Sequence, residues 1–392
     1  MDVLLRVMAG REDSRRLGSL LVRAFAEGHG VRSLLRGSVN RVARQVVIHT
    51  GKSGEHYIAG SRTEWVSMGW GALGAGAITA FTALFKYSLA AMALAPLWTG
   101  VAHSLNYTAS FVLMQFLGWS LASKMPSMTA AALCDALEKE DGMQSEVRLV
   151  AAITRTQFVV TVGNLAGAIP AAALVDLYIR FRSGHTFLVR AAALHGVESM
   201  HPWHSLTIPF AALTGGFLWL SSLVAGWTAN WMVVNRLPEG LAQSRGIRRW
   251  LSDRAAARLA KGVGHQLSGV AGYLCLGVLL GLVPFVSVFA GIPLEVRHIT
   301  LAGASLAYDM SALAWGRAVP WPETGWAALG LAATGLMNFG VSFALGLWLA
   351  LRARNLGAVG RRALVAALWK EFRSRPARFL WRNEDGEADG GK

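Results

Sequence analysis

Acidic side chains are scarce in this chain: Asp and Glu total 23 against 38 Lys and Arg, and charged residues make up 16% of 392. An average soluble domain is about 25% charged, so the shortage argues against a water-soluble globule. Cysteine is scarcer still, with Cys134 and Cys275 alone. Two thiols set up no disulfide framework, and Cys275 lies inside an apolar run, so both read as inert. The charged N-terminus lacks a short apolar core followed by a cleavage site, so no signal peptide is expected.

What the chain has instead is oil-loving sequence: 53% of residues are hydrophobic and the mean hydropathy is +0.39. Thr207–Val234 runs 28 residues without a charged side chain. A helix rises about 1.5 Å per residue, so roughly 20 apolar residues cross a bilayer core about 30 Å thick. Backbone groups in lipid find no water, which forces such a run to be helical. Five further runs follow the same logic. The expected spans are about 69–98, 105–122, 157–179, 207–234, 269–292 and 326–351. Trp70, Trp98, Trp119, Trp203, Trp231, Trp326 and Trp348 lie near the ends of apolar runs, where aromatic belts form. Gly163 with Gly167 and Gly277 with Gly281 set two Gly-xxx-Gly faces for close helix contact.

Charge orients the bundle. Lys and Arg number 11 in residues 1–68, 4 in 123–156, 7 in 235–267 and 10 in 352–392. Residues 180–205 hold only 3 and residues 293–325 only 2. Six spans with both termini in the cytoplasm place the four rich segments inside, as the positive-inside rule requires. A seventh crossing within 293–325 would expel the ten-charge tail. The run 301–314 is too short and too polar to cross, but is able to dip into the membrane.

The expected architecture is therefore an all-α integral membrane protein of about six transmembrane helices. An amphipathic helical segment (1–68) precedes the 69–351 membrane domain, and a basic tail (352–392) follows it. Residues 236–261 and 361–382 mix arginines with large apolar side chains and read as helices lying along anionic headgroups. Nucleic acid would use the same charges, so DNA stands as the alternative partner.

Several long segments carry a resemblance. They are GKSGEHYI (51–58), SLNYTASFVLMQFLGWSLASKMPSMTAAAL (104–133), RTQFVVTVGNLAGAIP (155–170), HPWHSLTIPFAALTGGFLWLSSLVAGWTANW (201–231), NRLPEGL (235–241) and GIPLEVRHITLAGASLAY (291–308). Together they resemble the bacterial multi-pass transmembrane family named "site-specific recombinase" (Gcr-type), over about residues 40–360. The resemblance implies an inner-membrane protein, shortened at its N-terminus relative to other members, and its name implies DNA recombination.

The residues themselves offer three candidate sites. A tyrosine recombinase needs a Tyr nucleophile, an arginine pair on the phosphate and a proton-transfer group. His29, Arg32, His49 and Tyr57 echo that order, yet only 28 residues precede His29 and no packed catalytic domain surrounds it. The GKS at 51–53 fails as a phosphate loop, because Val46 occupies the position where a Gly must stand. The second set is His195, Glu198, His201 and His204, whose types suit a metal, although Pro202 interrupts helical alignment. The third is the polar groups at membrane depth: Lys86, Gln115, Asn164, Asp176, Asn230 and Asn338. Charges there line a path or pair with one another, and Lys86 with Asp176 is the expected pair. No complete catalytic set is present. Recombination, transport or conduction, and an envelope assembly role remain the three function classes.

Overall fold

The computed structural model describes residues 58–121, 125–138, 143–315, 319–353, 366–367 and 369–380. Residues 1–57, with their amphipathic pattern and the His29, Arg32, His49 and Tyr57 candidates, lie outside the described residues. The described residues form helices in this order: α1 (Arg62–Ala91), α2 (Pro96–Phe116), α3 (Met125–Glu138), α4 (Met143–Ser183), α5 (Arg190–Ser199) and α6 (Thr207–Val234). There follow α7 (Leu237–Gln243), α8 (Arg245–Arg248), α9 (Asp253–Ala290), α10 (Ile299–Trp315), α11 (Trp321–Ala353) and α12 (Ala377–Leu380).

Five of these, α1, α4, α6, α9 and α11, are long and apolar enough to cross a membrane. The sixth expected span corresponds to α2, whose 21 residues suffice in length while His103, Ser104, Asn106, Tyr107 and Gln115 dilute its apolarity. The first span ends earlier than expected, because the chain turns at residues 92–95 and Pro96 opens a new helix. At its start α1 is fixed by a capping box: Ser61 Oγ accepts from Glu64 N at 3.2 Å, and Glu64 Oε2 accepts from Ser61 N at 3.3 Å, and from Gly60 N at 2.8 Å as well. With 41 residues, α4 is about 60 Å long at the standard rise, so it outruns any bilayer. The segment 236–261 is two short helices, α7 and α8, and the first turns of α9 rather than one surface helix.

Helix pairs meet where side chains vanish. A Cβ on Gly167 would overlap Leu73 O, and one on Gly163 would press on Ala72, so α4 lies parallel and tight against α1. On the other side, Gly269, Gly277 and Gly281 of α9 face Gln115, Thr108 and Ser104 of α2, an antiparallel register along the length of α2. The two Gly-xxx-Gly faces are thus helix contacts, as their spacing implies. Outward, Phe81, Phe85, Leu174, Phe181 and Leu336 are exposed, which suits a lipid-facing surface. Six of the seven Trp expected near span ends are exposed too, while Trp119 is half-buried over Gly74.

Both ends of the described bundle come to one place. Ala59 N donates to Thr156 Oγ1 at 3.1 Å, and Arg155 reaches Arg378 O near the chain's other end at 3.4 Å. Phe379 of α12 is buried against Phe372, and Glu371 pairs with Arg378 at 2.6 Å.

Candidate functional site

The chain does something unusual between α9 and α10. Gly291, with φ +65°, ends α9 in the left-handed region that favours glycine, and residues 293–298 follow without helical structure. They run back into the bundle. Arg297 N donates to Thr214 Oγ1 of α6 at 3.1 Å, and Ile299 N donates to Asn338 Oδ1, midway along α11, at 3.0 Å. From there α10 climbs out again: Thr300 Oγ1 donates to Asn164 Oδ1 at 3.5 Å, Tyr308 OH to Ala80 O at 3.1 Å, and Ser311 Oγ to Asp176 Oδ2 at 2.6 Å. At its end Arg180 covers Trp315, 3.6 Å from the ring centroid. The segment is a hairpin that enters to mid-depth and returns, as the polarity of 301–314 allows.

Non-helical backbone cannot face lipid and survives at depth only inside protein. Here the bundle supplies the partners. Asn338 Nδ2 donates to Ala211 O and to Arg297 O, both at 2.9 Å, while its oxygen takes the Ile299 N–H. Asn164 Nδ2 bridges Ala72 O (2.7 Å) and Ser120 O (3.0 Å). Asp176 accepts from Phe187 N at 2.8 Å as well as from Ser311.

Three of the six expected membrane-depth polar groups, Asn164, Asp176 and Asn338, therefore converge on this hairpin, and a fourth, Lys86, faces it. Gln115 does not: its Nε2 donates to Gln266 Oε1 at 2.8 Å, tying α2 to α9. Asn230 is half-buried away from the hairpin contacts. The expected Lys86–Asp176 pair does not form, because Asp176 is committed to Phe187 N and Ser311 while Lys86 turns toward the hairpin's other face.

That face encloses a cavity of about 220 Å³. Lys86, His195, Glu295, Arg297, Ser305 and Asp309 contribute its polar wall, with Tyr87 and Tyr107 beside them. His195 is exposed and Glu295 half-exposed, so the cavity reaches the surface beside α5. Arg297 is 8% exposed and contacts Glu295 Oε2 (2.6 Å), Ser199 O (3.1 Å) and Met200 Sδ (3.4 Å). Its buried Nε has no hydrogen-bond partner. Asp309 is 2% exposed, its carboxylate lying on the bare backbone of Gly196. A Cβ at Gly196 would collide with both carboxylate oxygens, so a larger residue there would force Asp309 to shift.

The four proposed metal ligands are not gathered. His195 and Glu198 sit exposed on α5, whereas His201 and His204 follow it in a turn with their rings stacked 4.0 Å apart. His201 Nδ1 accepts from Trp203 N (3.1 Å) and His204 N (3.0 Å), and its ring leans on Trp326 at 5.0 Å. Desolvation, then the neighbouring His204, push its pKa below the ordinary 6.5. A ring used to close a turn is not presented to a metal. Among the described residues no three His, Cys, Asp or Glu side chains assemble as a metal group.

The family model described as "Site-specific recombinase" matches residues 1–382. The chain belongs to the site-specific recombinase family. No curated protein matches it, and no solved structure does. For this family member, the cavity residues Glu295, Arg297 and Asp309 escaped the sequence reading. Two of the three belong to LEVRH (294–298), where charges interrupt apolar sequence beside a run too short to cross, and that was the available signal.

Proposed function

We propose that this member of the site-specific recombinase family is a six-span inner-membrane protein that binds a small solute in the hairpin cavity, as a transporter or channel does. The cavity carries the reading. Two cations and two carboxylates around about 220 Å³, beside a half-depth hairpin, is an arrangement that a purely structural bundle has no need to maintain. Ligand sites in membrane proteins of this kind gather where helices break at mid-depth.

Six crossings are supported by the meeting of Ala59, Thr156, Arg155 and Arg378, since an odd number would part the two ends. The basic loops orient that shared end to the cytoplasm, where anionic lipids attract them, and turn the cavity mouth outward. Purified protein in sealed vesicles is expected to pass a small charged solute, and Ser305→Trp, which fills the cavity, is expected to stop it. Equal flux from the variant and from empty vesicles would sink the reading.

The family's description favours a second reading, action on DNA through residues 1–57. It predicts a covalent adduct on trapping, lost in Tyr57→Phe, and binding that weakens steeply with salt.

A further inference from the structure

The charges of the cavity do not cancel pairwise. Glu295 is matched by Arg297 at 2.6 Å. Lys86 and Asp309 are left over: among the described residues the Lys86 ammonium makes no ion pair, and the Asp309 carboxylate neither accepts a hydrogen bond nor pairs with a cation. Both line the same cavity and lie near enough for their charges to act on one another, without forming an ion pair. Asp309 is buried without a partner, while half-buried Lys86 has only the Tyr87 ring, 5.4 Å from its ammonium, and such an unmatched arrangement is costly unless something joins the two.

From this we infer that the cavity binds a small zwitterion, a solute with a carboxylate and an ammonium a few bonds apart, such as a small α-amino acid. The inference rests on the solute-binding reading above and names its substrate class. The solute's carboxylate meets Lys86, and its ammonium meets Asp309. Size limits the choice. Pockets for drug-sized ligands run to about 300–1,000 Å³, so this one suits a ligand of only a few heavy atoms. Ala302, Ser305, Leu306 and Asp309 share one face of α10, so the carboxylate comes with a short apolar and hydroxyl wall that leaves little room for a long side chain.

The test uses the full chain in detergent, with binding of glycine, acetate and methylammonium measured by calorimetry or thermal shift. Glycine is expected to bind about tenfold or more tightly than either single-charge probe, since each of those leaves one of the two groups unmatched. Asp309→Asn should lose that preference while still binding acetate, which also shows that it folds. Lys86→Met should lose glycine binding and keep methylammonium. Acetate or methylammonium binding as well as glycine, with Asp309→Asn indifferent, would overturn the zwitterion while leaving a solute site standing. No binding of any probe by wild type, together with no flux in vesicles, would remove both.

Discussion

The backbone N–H of Ile299 and the side-chain oxygen of Asn338 meet at 3.0 Å in the interior of the bundle, where the chain stops descending and α10 begins. The same amide ties Arg297 O and Ala211 O together, so one side chain joins the hairpin tip to both α11 and α6.

Replacing Asn338 by Leu keeps the volume and removes all three bonds. Leaving the Ile299 N–H without a partner at depth is expected to cost roughly 1–3 kcal/mol. Unfolding in detergent, monitored by a buried-thiol or thermal assay, reads the loss. A variant as stable as wild type would mean that the hairpin is held elsewhere.

Lys86 and Asp176 share no partner. Lys86→Ala and Asp176→Ala should therefore act on stability independently, the double variant changing by the sum of the two within about 0.5 kcal/mol. Asp176→Ala strips the Phe187 N–H and Ser311 of their acceptor and is expected to be the more damaging of the two.

Gly281 lies against the backbone of Ser104. Gly281→Val forces α2 and α9 apart and should cost at least about 1–3 kcal/mol by overpacking. Gly340→Ala, where a methyl meets open space, is the control and should not lower the unfolding temperature.

The His201 ring, held neutral by desolvation and by His204, accepts two backbone N–H groups. A depressed imidazole pKa means that the turn's stability is present above the ordinary 6.5 and is lost as pH falls through the lower value of the folded state. Protonation beside Trp326 should quench that indole. The expected signal is a fluorescence decrease below pH 6.5, absent in His201→Gln.

Orientation is open to labelling. In a Cys134→Ser, Cys275→Ser background, His185→Cys should react with an impermeant maleimide added to intact cells, and Gly246→Cys only after permeabilisation. The reverse pattern would invert the bundle.

Much of the architecture could be read before any coordinates. Thr207–Val234 is a helix over the same residues that its charge-free run marks, because both of its ends coincide with a change from apolar to polar sequence. Elsewhere helix and apolar run part company. The first turns of α4 and α9 are polar, so hydropathy placed their starts too late. Ser61 and Glu64 spelled out the start of α1, which a search for apolarity passes over. At the site, Asn164, Asp176, Asn338 and Lys86 stood out because polar groups at depth are costly. Arg297 and Glu295 did not, since an ordinary extramembrane loop carries such charges and nothing local tells a returning segment from one that stays in water. The Gly196–Asp309 contact joins residues 113 positions apart, beyond the reach of any pattern within one segment.

A segment of bare backbone that must be hidden from oil on every side cannot be threaded into the bilayer when it leaves the ribosome. Residues 293–298 precede α11, the helix that later supplies their deepest anchor, so they have to wait at the membrane face until it has been made and inserted. Assembly of this protein should accordingly close with the hairpin dropping into a gap left by helices already in place. A chain halted before Asn338 would hold that segment in the headgroups, open to protease.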